Sequence, residues 1–106
     1  MDYIEIDKNL IPYRFDVSLA SAVFTFEIHY NSEYDFFTAD LERDGVLLAS
    51  GVRLVYGVPL FGDVHDATLF PAVDIVPYDE SGVSDDVIWA TLGETVFLFV
   101  GGAADA

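Results

Sequence analysis

Apolar and polar residues alternate along most of this chain, the pattern of strands that bury one face and leave the other in water. Tyr13, Phe15, Val17 and Leu19 are separated by Arg14, Asp16 and Ser18, and Phe24, Phe26, Ile28 and Tyr30 by Thr25, Glu27 and His29. Ala20-Ser21 must turn the chain between these runs, and neither residue takes a positive φ cheaply, which argues against a tight primed turn there. A polar loop, Asn31-Ser32-Glu33, precedes a third strand over Phe36 to Arg43, where Phe37, Ala39 and Leu41 alternate with Thr38, Asp40 and Glu42. Asp44-Gly45 follows, and both residues tolerate positive φ, so Val46 to Ser50 should return antiparallel. These runs predict a meander.

The middle of the chain is less regular. Gly45, Gly51 and Gly57 fall six residues apart, each followed by valine. A six-residue period can mark a β-helix, but three copies stack no stable coil, and short strands bent at glycines are the better reading. Pro59 should keep its neighbourhood out of a central strand, because it cannot donate to a ladder. Ala72 to Val76 reads as a strand closed by Pro77, and Asp79 to Asp86 as a turn-rich surface loop. Thr95 to Val100 reads as the last strand, with Val96, Leu98 and Val100 on one face and Phe97 and Phe99 on the other. A strand apolar on both faces lies between two layers or against another subunit. No helix of useful length is predicted. About seven short strands imply an all-β fold, a small antiparallel β-barrel or sandwich, in a single domain over residues 1–100 with a disordered tail at 101–106.

Composition sharpens this picture. The 106 residues carry a net charge of −15, with Lys8, Arg14, Arg43 and Arg53 facing 19 acids, yet 53% are apolar and 15% aromatic. That hydrophobicity argues against disorder and for a packed domain with an acidic shell and apolar surface left over for a partner. The charge repels phosphate and so argues against binding to a nucleic-acid backbone, and the acidity itself is either of functional use or the mark of a high-salt or acid-biased host proteome. The absence of cysteine excludes disulfides and thiolate chemistry. The acidic N-terminus lacks the features of a secretory signal, and the longest apolar run, Val96 to Val100, falls far short of the roughly 20 residues of a membrane helix.

Catalytic chemistry finds little footing. Asp63, His65 and Asp66 cluster, as do Asp85 and Asp86, but zinc wants more than the two histidines present, and the oxygens of Asp79 to Asp86 do not follow a calcium loop. A solvated acidic loop is the simpler reading, and no metal or cofactor is expected. Among 19 acids some pair will always stand at glycosidase spacing, so such a pair carries no information. No nucleophile elbow surrounds a serine, and His29 reads as a solvent-facing strand residue. The aromatics say more. Phe36-Phe37 must place one ring on each face of its strand, so a core Phe37 leaves Phe36 exposed or at an interface. Trp89 could anchor a partner, though core packing is the commoner fate of a lone tryptophan. Phe36, Trp89, Phe97 and Phe99 are the candidate interface residues.

Four stretches in order resemble a known family. Ile11-Pro12-Tyr13-Arg14-Phe15-Asp16-Val17 looks like its first strand, and Phe24-Thr25-Phe26-Glu27-Ile28-His29-Tyr30-Asn31 its second. Phe36 to Leu41 through Asp44-Gly45, and on to Gly51-Val52-Arg53-Leu54-Val55-Tyr56-Gly57-Val58-Pro59-Leu60, looks like its central hairpin and glycine-spaced run. Thr91-Leu92-Gly93-Glu94-Thr95-Val96 into Phe97-Leu98-Phe99 looks like its C-terminal turn and strand. The family is that of the small plug proteins of contractile-phage baseplates. The resemblance implies a non-catalytic virion protein of the tail baseplate, assembled in the host cytoplasm and docked on hub, spike, tube or wedge proteins, with homo-oligomers possible. An acidic wall beside the tube would not trap passing DNA. The alternative is a stand-alone protein- or carbohydrate-binding β-domain, which should be monomeric with its aromatics in one concave site.

Overall fold

The computed structural model describes residues 3–19, 22–61, 70–71 and 73–101. In chain order these form β1 (Tyr3–Ile4), a 3-10 turn (Lys8–Leu10), β2 (Tyr13–Leu19), β3 (Ala22–Asn31), β4 (Phe36–Arg43), β5 (Val46–Arg53), β6 (Asp74–Tyr78) and β7 (Phe97–Gly101). The strands make two antiparallel sheets, β2-β3-β4-β5 and β1-β7-β6. The fold is sandwich-like, and no pairing between β1 and β2 closes it into a barrel. An open hollow of about 490 Å³ separates those two edges, lined by Tyr3 and Glu5 on one side and Phe15 to Leu19 on the other. The expected turn at Ala20-Ser21, the Asp63-His65-Asp66 cluster, Ala72 and the tail beyond Gly101 lie outside the described residues.

The meander forms as its alternation dictates. Phe15, Phe26 and Leu41 stand opposite one another across β2, β3 and β4, as do Tyr13, Ile28 and Ala39 in the next inward row. Direct cross-strand neighbours of this kind are the unit that stabilises a sheet. Phe26, Ile28, Phe37, Ala39 and Leu41 are fully buried, and they share one core with Ile4, Ile75, Val96 and Leu98 of and beside the second sheet.

The hairpin between β4 and β5 turns at Asp44 and Gly45, whose φ angles of 53° and 78° are those of a primed turn matched to strand twist. β5 runs three residues further than Ser50, through Gly51 at φ 66°. A register shift between Ala39 and Leu41 accommodates it, and the Asp40 Oδ1 accepts the Gly51 N–H at 2.7 Å. A Cβ at Gly51 would meet open space, so only the left-handed backbone demands glycine. Gly51→Ala should therefore cost about 1 kcal/mol in urea unfolding with an unchanged slope, since no packing is disturbed.

The second sheet departs from expectation at two points. Pro77 lies inside β6 instead of closing it. Within a strand the N and C=O of one residue point the same way, and the carbonyls of Ile75 and Pro77 both face outward, accepting the N–H groups of Leu60 and Gly57 at 2.8 Å. The donor that proline lacks would thus have pointed away from β7, at a sheet edge, where its loss breaks no ladder bond. β7 begins at Phe97; Thr95 and Val96 precede it, Val96 in an isolated bridge to Leu92. The described residues contain no helix beyond the single 3-10 turn.

Candidate docking surface

Alternation in β1, β6 and β7 sends Ile4, Leu98, Ile75 and Pro77 into the core. Tyr3, Phe97, Phe99, Val76 and Tyr78 therefore share the opposite, outward face, with Tyr3, Phe99 and Val76 in one row and Phe97 beside Tyr78 in the next. The ring of Tyr3 lies 4.8 Å from that of Phe97 and 5.9 Å from that of Phe99, and Tyr56 stacks on Tyr78 at 5.4 Å. Edge-to-face and offset contacts at these distances are attractive between rings. Tyr3 and Tyr78 remain 49% and 48% exposed, Phe97 is half-buried, and Phe99 is only 7% exposed. The outer side of this sheet is an aromatic surface open to solvent, with Phe99 at its floor.

One buried carboxylate holds the loop that follows Tyr78. Asp79 accepts the Ser81 hydroxyl at 2.5 Å, the Ser81 and Ser84 N–H groups at 2.8 Å and the Val83 N–H at 3.0 Å. Its own N–H donates to the Tyr56 hydroxyl, which ties the loop to the Tyr56–Tyr78 stack. The Ser81 hydroxyl, and then the loop N–H groups, hold the Asp79 carboxyl below its usual range against the opposing effect of burial. The stretch expected as a solvated surface loop is thus anchored from within, although Asp85 and Asp86 are exposed.

Trp89 lies elsewhere. Its ring packs 4.9 Å from Tyr30 and 6.1 Å from Phe37, with the Lys8 ammonium 5.2 Å above it, and 39% of the residue stays exposed. Lys8 also donates to the Trp89 carbonyl, and the Trp89 N–H donates to Asp35 Oδ1, which accepts the Tyr30 hydroxyl as well. Those two donors, the hydroxyl first, lower the Asp35 pKa, and the same bond raises that of Tyr30. Trp89 borders an open cleft of about 540 Å³ with Ile11, Pro12, His29, Tyr30 and Ser32. Phe36 sits on the outward, polar face of the meander, half-buried beneath the Arg53 guanidinium at 4.4 Å. Of the four candidate residues, the fold brings together only Phe97 and Phe99.

The polar face of the meander also gathers Glu27, His29 and Asp40 within 4.8 Å of one another. His29 Nε2 is 2.7 Å from Glu27 Oε2 and 3.6 Å from Asp40 Oδ2. Arg14 pairs with Glu27 and Glu42 on the same face. The cluster is a half-exposed polar network in which two carboxylates directly opposite each other, Glu27 and Asp40, share the His29 ring, with the Arg14 guanidinium beside Glu27. Its period-two spacing, Glu27 and His29, was present in the sequence, but the cross-strand partner is set by register alone.

The family model described as cyanophage baseplate Pam3 plug gp18 matches residues 1–103 of the chain. No curated protein matches it.

Proposed function

Because the chain belongs to the cyanophage baseplate plug family, we propose that it is a non-catalytic structural subunit of the tail baseplate that docks on hub, spike, tube or wedge proteins through the outer aromatic face of the β1-β7-β6 sheet. The observation that carries the docking surface is the open array of Tyr3, Phe97 and Tyr78 over Phe99. Aromatic residues gathered on an exposed sheet face are the kind of centre from which interfaces draw most of their energy.

The Trp89 cleft supports a second reading, a stand-alone module that binds a peptide or a sugar. It is the weaker one, because the Tyr30 hydroxyl and the Trp89 backbone N–H both already donate to Asp35. Ligand orientation in a mostly apolar site depends on free polar groups.

Mass spectrometry of purified virions, followed by electron microscopy of particles carrying a tagged copy, tests the proposal. The protein should be a stoichiometric component with the tag at the baseplate. Its absence from particles, with free monomer in the lysate, would favour the stand-alone module.

A further inference from the structure

The basic side chains of this chain all lie away from the aromatic face. Arg14, Arg43 and Arg53 belong to the four-stranded sheet, and Lys8, in the 3-10 turn, is engaged with Trp89 and Glu94. No lysine or arginine occurs in β1, β6 or β7. Acids, by contrast, border the rings. Asp74 shares the outward side of β6 with Val76 and Tyr78 and is exposed. Glu5 lines the hollow beside β1 together with Tyr3 and is exposed too. Glu80 is exposed two residues beyond Tyr78. The surface is an aromatic centre with an acidic rim.

That arrangement selects among occupants. Two copies meeting through this face would set acidic rim against acidic rim on bodies that each carry −15. Like charges juxtaposed across an interface cost several kcal/mol and slow encounter, whereas opposite charges steer it. Resting on the docking reading above, we infer that this face is built for a different protein, one that presents an apolar patch ringed by lysine and arginine. The rings supply the contact energy and the rim supplies the choice of partner.

The test uses assembled virions. Benzoylphenylalanine in place of Tyr3, a site already exposed and aromatic, is illuminated in the particle and the cross-linked peptide sequenced. The expected product joins this chain to another virion protein at a segment bearing lysine or arginine. In competition with the unaltered protein, a folded Glu5→Lys/Asp74→Lys variant should enter particles roughly 10-fold less well. The control Glu33→Lys/Asp85→Lys, with the same charge change on exposed acids elsewhere, should enter normally. A cross-link to a second copy, a contact segment without basic residues, or equal incorporation of the two variants would overturn the inference. Particles that contain none of this protein would instead overturn the docking reading beneath it.

Discussion

Phe97→Ser should leave a folded chain that fails to enter the particle. The Phe97 ring is half-buried on the outer side of β7, so its removal takes little from the core. It takes much from a docking surface, because central aromatic anchors dominate interface energies, and incorporation should fall by at least ~10-fold. Phe99→Ser separates the two roles. Phe99 is 7% exposed, so this change should cost roughly 3–5 kcal/mol of folding stability, with any incorporation defect following from that loss. Chemical denaturation of each purified variant, set beside its abundance in virions, gives the comparison. Normal incorporation of Phe97→Ser would remove the outer face of β7 from the interface.

Asp79→Ala should have the largest effect on stability of any single polar substitution among the described residues. It strands three backbone N–H groups and a hydroxyl that now converge on one carboxylate. The loop loses the one buried acceptor that gathers these donors, and the thermal midpoint should fall by about 10 °C. Asp79→Asn, which keeps an acceptor but loses the charge, should fall in between. Acid titration gives a second readout. The folded-state pKa of Asp79 is depressed, so its stabilising contribution is complete above the ordinary carboxylate range near 4 and disappears as pH falls through the lower folded value. Asp79→Asn should remove that part of the acid sensitivity and leave the rest, including the part from Asp35, which is depressed in the same direction.

The meander was legible because two independent signals agreed over it. Phe24 to Tyr30 and Phe37 to Leu41 alternate without interruption, and Asp44-Gly45 marks the reversal with residues that accept positive φ. The second sheet was less legible for physical reasons. β1 is two residues long, too short for a period to register, and Pro77 reads as a stop unless the outward direction of its nitrogen is known. With β6 ended early, Tyr78 fell outside the strand and its place beside Phe97 was hidden. Asp79 was missed for a different reason. A segment of aspartate, glutamate, serine and glycine has the same composition whether its carboxylates face water or close a loop, and only the hydrogen bonds distinguish them. Of the aromatic surface, the two apolar faces of β7 could be read directly. The contributions of Tyr3 and Tyr78 required the register, which brings residues from opposite ends of the chain into one row.

The short hold of β1 on its neighbour has a thermodynamic consequence. β3 and β4 are hydrogen-bonded on both sides, whereas β1 is joined to β7 through only two register positions, Tyr3 with Phe99 and Ile4 with Leu98. Local opening is governed by such differences, so the amides of β1 should exchange with solvent long before those of the meander centre. Each opening carries Tyr3 off Phe97 and Phe99 and dismantles part of the aromatic surface. A partner that recognises the closed form must then, by linkage, protect β1 in proportion to its own affinity. Exchange at two residues thereby becomes a gauge of occupancy for the whole surface.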